Sequence, residues 1–224
     1  MKPQTAVVLG ASGFIGGFLV QQLIADEAFE TVRLLVRRPM PEPHAKVKVL
    51  VTDFSDHEAF RQELGAGDTI FCCIGTTMKH VNGDKLAYRK IDFDIAVNAA
   101  KLGKEAGFSN YVLVTAVGAN AQSKNFYLRL KGEIEAAIAG WNFSSVAIFR
   151  PSSLMGERKE FRLLEWLSKG VMKVATNFLA GSLRKYKGIH GRTVAAAMIA
   201  AAKNPEPGTH VYEYDEMVRL AGEV

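Results

Sequence analysis

Cysteine is almost missing from this chain: Cys72 and Cys73 are the only two among 224 residues. Neighbouring side chains on a strand point to opposite faces, so the two are badly placed to bridge each other. No disulfide framework is available, and the pair reads as small core residues of a reducing compartment, expected to be the cytoplasm. Metal-ligand spacing is lacking too, since His80 and His190 stand alone in loops and read as polar surface. No apolar run approaches the ~20 residues of a membrane helix. The opening MKPQTAVVLG enters a strand at once, which leaves no room for a signal peptide. The net charge is only +5. Its basic residues are dispersed, with no aromatic-interleaved stripe, so no nucleic-acid partner is expected. A field of that size suits an anionic small ligand instead.

What is present is alternation. With 48% hydrophobic and 23% charged residues, the composition is that of an ordinary globular domain. Strands are expected at about 5–9, 32–36, 47–52, 69–74, 111–117, 145–149 and 210–214. Helices are expected at about 14–26, 56–64, 91–106, 124–140, 159–169 and 191–203. This order implies an α/β fold with a doubly wound parallel sheet covered on both faces. Continuously apolar strands such as Ile70–Ile74 and Val112–Val114 fit burial on both sides. No repeat or linker interrupts residues 1–224, which read as one domain. The less regular stretch 152–190 is expected to cap a ligand cleft, with Met172 and Phe178 at its mouth. Trp141 and Trp166 read as packing residues, and the small side chains from Ala195 to Ala202 as a helix face laid on the sheet.

The first strand runs into GASGFIGG, residues 10–17. Gly10, Gly13 and Gly16 permit a tight turn and close helix–sheet packing. The same turn, with Ser12, Phe14 and Ile15, also presents backbone N–H groups to a pyrophosphate. After the second strand stand Arg37 and Arg38, where an acid would hold a free ribose 2′-hydroxyl. Their forks suit a 2′-phosphate, which favours NADP(H). Asp53 either accepts from an adenine amino group, with Phe54 lining the ring's pocket, or caps the next helix. Gly75, Thr76 and Thr77 end the fourth strand, where close approach and hydroxyls suit ribose or phosphate; a plain turn is the other reading. Thr115 ends the fifth strand, and Tyr127 and Lys131 lie four apart on the following helix, sharing one face. A phenol of pKa ~10 becomes a usable acid or base beside an ammonium.

Together GASGFIG, RR, DF, GTT and YLRLK resemble an atypical, truncated short-chain dehydrogenase/reductase. More narrowly, FCCIGTT, YRKIDFD, VGAN with NFYLRLKGEIEAAI, and IFRPSSLMGER resemble the Tat-interacting-protein oxidoreductase subfamily and its bacterial relatives, over nearly the whole chain. The resemblance implies a Rossmann fold binding NADP(H) and a small-molecule substrate of carbonyl or quinone-like type. It makes Tyr127 the proton donor, Lys131 the ribose contact that depresses the phenol pKa, and Thr115 the hydroxyl orienting the carbonyl. Ala116 lacks a second hydroxyl found in many members, a role open to Ser123. Pro151 and Ser153, flanking Ser152, stand where backbone meets the nicotinamide carboxamide, in place of Pro-Gly. A second reading is an NADP(H)-binding redox sensor without significant turnover, and a homodimer or a regulatory protein partner is left open.

Overall fold

The computed structural model describes residues 3–155 and 180–222. The expected helix at 159–169, and with it Trp166, Met172 and Phe178, lies outside the described residues. Seven strands make one parallel sheet: β1 (Gln4–Leu9), β2 (Phe29–Val36), β3 (Val47–Val51), β4 (Thr69–Cys72), β5 (Asn110–Val114), β6 (Ser145–Phe149) and β9 (Gly208–Tyr212). Their order is β3-β2-β1-β4-β5-β6-β9, so the winding reverses between β1 and β4. Two short strands, β7 (Leu154–Met155) and β8 (Ile189–His190), pair apart from it.

Strand alternation divides the core in two. Ala6 and Val8 face a layer completed by α1 (Phe14–Ala25) and α6 (Gly191–Lys203), through Leu19, Leu23, Val194 and Met198. Val7 and Leu9 face the opposite layer, with α2 (His57–Leu64), α4 (Ile95–Glu105) and α5 (Phe126–Ala139), through Phe60, Leu64, Ala99, Ile134 and Ile138. Cys72 and Cys73 are free and fall in opposite layers, where burial pushes both thiols up. The small side chains of α6 are buried against the sheet and α1, and Trp141 packs at the edge of the second layer.

Several element bounds depart from expectation, and β2 begins at Phe29, three residues early. The helix placed at 91–106 begins earlier, as α3 (Lys85–Arg89), and reaches α4 through a π turn at Lys90–Asp94. Asp84 caps it, accepting from the Leu86 and Ala87 N–H groups. The last strand ends at Tyr212 rather than 214, because Glu213 and Glu216 form a capping box that starts α7 (Tyr214–Leu220). Strands β4 and β5 also stop at Cys72 and Val114, two and three residues short of expectation, which leaves the residues beyond them free to build loops.

Candidate active site

The winding reversal places the ends of β1 and β4 side by side, where open parallel sheets bind ligands. Gly10 turns there with φ +83°; a Cβ on it would lie 2.7 Å from the Cys73 carbonyl and 2.9 Å from the Ile74 nitrogen. A Cβ on Gly16 would sit on the Gly10 carbonyl oxygen. Both glycines therefore serve packing. Gly13 differs: its φ of −79° is ordinary, and an added Cβ would meet only the Gly10 oxygen, at 3.1 Å. The backbone there opens outward.

Gly13 is also the N-cap of α1, which has no side-chain cap and no acid in its first turn. A glycine in place of a capping side chain costs only about a few tenths of a kcal/mol. Burying Leu19 and Leu23 contributes roughly 1.5–3 kcal/mol each, so the helix forms regardless. Its first turn brings no carboxylate of its own to the positive end, which suits an anion there. Ser12 is exposed and Phe14 half-buried against Phe18, whereas Ile15 turns its side chain into the core and can offer only backbone. The turn thus fits a pyrophosphate.

Beyond β2, Arg37 and Arg38 are both exposed. Asp53 is not the helix cap: Asp56 accepts from the Glu58 and Ala59 N–H groups, while Asp53 accepts from the Ser55 backbone and hydroxyl at 2.9 and 2.6 Å. Those bonds from Ser55 lower the Asp53 pKa, so an exposed carboxylate stands there. The Phe54 ring packs edge-on to Phe60 at 4.9 Å in the core, which leaves its backbone rather than its ring facing any pocket. Gly75, Thr76 and Thr77 form a half-buried loop. Tyr88 donates to the Thr76 carbonyl at 2.9 Å, and the exposed His80 pairs with the Thr77 hydroxyl at 2.9 Å.

The structure adds a residue the sequence reading passed over. Asp92, within the π turn, is fully buried. It accepts from the Thr76 N–H at 2.6 Å and from the Lys131 ammonium at 2.8 Å. Burial pulls the Lys131 pKa down, but the Asp92 carboxylate outweighs it and holds that pKa above the usual lysine range. The ammonium lies 5.9 Å from the centre of the half-buried Tyr127 ring. Asp92 stands in the quoted YRKIDFD; an acid inside an otherwise helical apolar pattern was the available signal. Gly132 is a second: a Cβ there would strike the Asn120–Ala121 backbone, so this glycine lets the loop after β5 lie directly on α5. The Asn120 N–H donates to the Leu128 carbonyl at 3.0 Å across that contact.

Thr115 is placed differently from expectation. Its buried hydroxyl donates to Glu135 at 2.6 Å, and Glu135 also receives the Arg150 guanidinium, whose Nε lies at 2.9 Å. With its proton given to a carboxylate, Thr115 fastens β5 to α5, and in this arrangement that proton is not free for a substrate carbonyl. Ala116 is buried, and the Ser123 hydroxyl accepts from the Asn125 N–H at 3.2 Å just ahead of α5. After β6, the Pro151 carbonyl accepts from Val117, Ser152 donates to the Lys187 carbonyl, and the Ser153 carbonyl accepts from Ile189. Thr115→Val is expected to lower stability by about 1.5–3 kcal/mol, the contribution of a hydrogen bond to a charged group. Urea unfolding measures it, and an unchanged stability would argue against the tie to Glu135.

Residues 10–155 match the family model described as NAD(P)H-binding. The chain is 31% identical to Protein HTATIP2 of Rattus norvegicus over 172 residues, covering 75% of this chain and 70% of that protein. It is 34% identical to Protein FMP52-1, mitochondrial, of Scheffersomyces stipitis over 226 residues, covering 96% and 98%. Among solved structures, MoeE5 in complex with UDP-glucuronic acid and NAD is similar with a TM-score of 0.70 at 16% identity, over 98% of this chain and 81% of that one. WbmH of Bordetella bronchiseptica in complex with NAD+ gives 0.71 at 12%, over 94% and 76%. At such identities these two establish the fold, a Rossmann-type parallel sheet. The cytoplasmic expectation is overturned by the FMP52 relatives, which are mitochondrial proteins. Free thiols report only that no disulfide is used, and carry no address. Among the described residues no helix is long and apolar enough to cross a membrane. By the family model, the relatives and the glycine turn at the winding reversal, the chain belongs to the NAD(P)H-binding, atypical short-chain dehydrogenase/reductase family.

Proposed function

We propose that this protein is an NADPH-dependent oxidoreductase that reduces a carbonyl or quinone-like small molecule. One observation carries the reading: a buried ammonium, Lys131, stands beside Tyr127, one helical turn away, next to the loop from the end of β4. When bound, the nicotinamide supplies the hydride. Tyr127 gives its phenolic proton to the substrate oxygen, and the Lys131 ammonium stabilises the phenolate left behind. An ammonium has three donors; Asp92 takes one, which leaves Lys131 able to reach ribose hydroxyls. The backbone from Gly10 to Gly16 holds the pyrophosphate, Asp53 and the Phe54 backbone meet the adenine, and Gly75, Thr76 and Thr77 meet ribose and phosphate. Pro151 and Ser153 face the carboxamide through backbone groups.

Arg37 and Arg38 give the preference for the 2′-phosphate. Each charge-assisted contact contributes roughly 1.5–3 kcal/mol. Arg37→Ala with Arg38→Ala is therefore expected to weaken NADPH at least about tenfold and to leave NADH nearly unchanged. Calorimetry with both nucleotides checks this, and an unaltered NADPH affinity would contradict it. The activity itself is tested by following NADPH oxidation against a panel of carbonyls and quinones. A second reading, the redox sensor, is favoured by the engagement of the Thr115 hydroxyl with Glu135. It expects NADPH to bind with no acceptor reduced, so the same panel separates the two.

A further inference from the structure

Thr77 and His80 form a small unit of their own in the loop after β4. The His80 N–H donates to the Thr77 carbonyl at 3.0 Å and reaches the Thr77 hydroxyl oxygen at 3.2 Å, which folds the chain into a turn. That turn brings Nδ1 of the exposed His80 ring to 2.9 Å from the same hydroxyl. Among the described residues the ring has no other polar partner. The loop also lies between two parts of the site. On one side Cys73 and Ile74 abut Gly10 in the glycine turn; on the other, Asp92 joins Thr76 to Lys131. A dinucleotide laid across the winding reversal, from the glycine turn towards Tyr127, passes Thr77.

A hydroxyl has one proton and two lone pairs. At Thr77 the His80 N–H occupies one lone pair, so the ring decides what becomes of the rest. A neutral ring with its proton on Nε2 accepts the Thr77 proton at Nδ1. The hydroxyl can then only accept from a ligand, which suits a ribose hydroxyl and opposes a phosphate oxygen. A protonated ring donates from Nδ1 instead and takes the second lone pair. The Thr77 proton is then free, beside a new positive charge, and suits a phosphate.

We propose that His80 is a positioning residue for the dinucleotide: its ring sets the polarity of the Thr77 hydroxyl, and its protonation turns that hydroxyl towards phosphate and tightens binding as pH falls. The role rests on the reading above in one respect, that Thr77 meets the nucleotide. The titratable groups that reach this loop from other elements are Tyr88 of α3, Asp92 of the π turn and, through Asp92, Lys131 of α5. Tyr88 and Asp92 bond to Thr76. Closer in sequence, Asp84 is engaged with the Leu86 and Ala87 N–H groups, Lys85 stands over the Phe126 ring, and Lys79 is exposed. Histidine is the side chain whose charge ordinarily changes between about pH 5 and 8.

The test is the affinity of the full-length protein for NADP+, measured by calorimetry from about pH 8 down to about pH 5.5, the range of an ordinary histidine. Wild type is compared with His80→Gln, with Thr77→Val and with the double variant. Glutamine keeps a hydrogen-bonding side chain beside Thr77 and carries no titrating proton. The ratio of wild-type to His80→Gln affinity at each pH cancels the ionisation of the nucleotide itself. That ratio is expected to rise about fivefold towards low pH, the size of one ordinary hydrogen bond, and to stay nearly flat when both forms carry Thr77→Val. A flat ratio, with Thr77→Val still weakening NADP+, overturns the proposal and keeps the nucleotide contact. A ratio that rises as steeply in the Thr77→Val background overturns it as well, since charge alone then acts. Thr77→Val binding NADP+ like wild type at every pH removes the contact and the proposal together. A rising ratio with no acceptor reduced removes the oxidoreductase reading and keeps His80.

Discussion

Tyr127→Phe is expected to bind NADPH about as tightly as wild type and to turn over its acceptor ~10²-fold more slowly or worse, the usual loss when a general acid is removed. The substitution deletes one oxygen from a half-buried ring and leaves the Lys131–Asp92 pair intact. Lys131→Met is the poorer probe. It strands a fully buried Asp92 carboxylate, and breaking such a pair from one side costs about 3–5 kcal/mol. A domain stable by only 5–15 kcal/mol loses much of its margin in that way, and lost activity would be confounded with unfolding. Steady-state rates beside a fluorescence titration of NADPH make the measurement. Equal rates for wild type and Tyr127→Phe on one acceptor would remove the phenol from the chemistry. A large loss of NADPH affinity in the variant would mean that the ring, rather than its proton, is what the site uses.

The contrast between Lys131 and its unexpected partner shows which features a sequence exposes. The parallel sheet was legible because Val7, Val8 and Leu9, like Ile70 and Phe71, are apolar on both faces, and both faces are covered. Tyr127 and Lys131 were legible because their spacing is local to one helix. Asp92 was not, since it meets Lys131 across 39 residues and only after a π turn has rotated it out of ordinary helical phase. Thr115 illustrates a different gap. Its place at the end of β5 was foreseeable, but the direction of its hydroxyl depends on Glu135, twenty residues on, and on Arg150 behind it. The role of Asp53 stood open between an adenine contact and the cap of α2: Asp53 and Asp56 each precede plausible first-turn residues, and only the backbone path decides that Asp56 accepts the helix N–H groups.

The glycines of the first turn support the second large effect, a pair of variants with opposite expected outcomes. Gly13→Val is expected to give a folded protein that has lost NADPH binding, and Gly16→Val a protein that scarcely folds. Gly13 has the extended φ and ψ of −79° and 172°, which valine adopts freely, so no backbone strain arises. The nearest atom to its added Cβ, the Gly10 oxygen at 3.1 Å, has to give by only a few tenths of an ångström. The branched side chain would instead fill the space in front of the α1 N-terminus. Losing two charge-assisted N–H contacts there, at roughly 1.5 kcal/mol or more each, corresponds to about a hundredfold or greater loss of affinity. At Gly16 the same Cβ collides with the Gly10 carbonyl, and Gly10 is itself wedged against Cys73 and Ile74. Backbone on three elements would have to move, which places the cost at or above the ~3 kcal/mol upper end of ordinary overpacking. Circular dichroism with urea unfolding ranks the two folds, and calorimetry ranks the two affinities. If Gly13→Val is folded and still binds NADPH normally, the opening glycines serve packing alone and the nucleotide lies elsewhere.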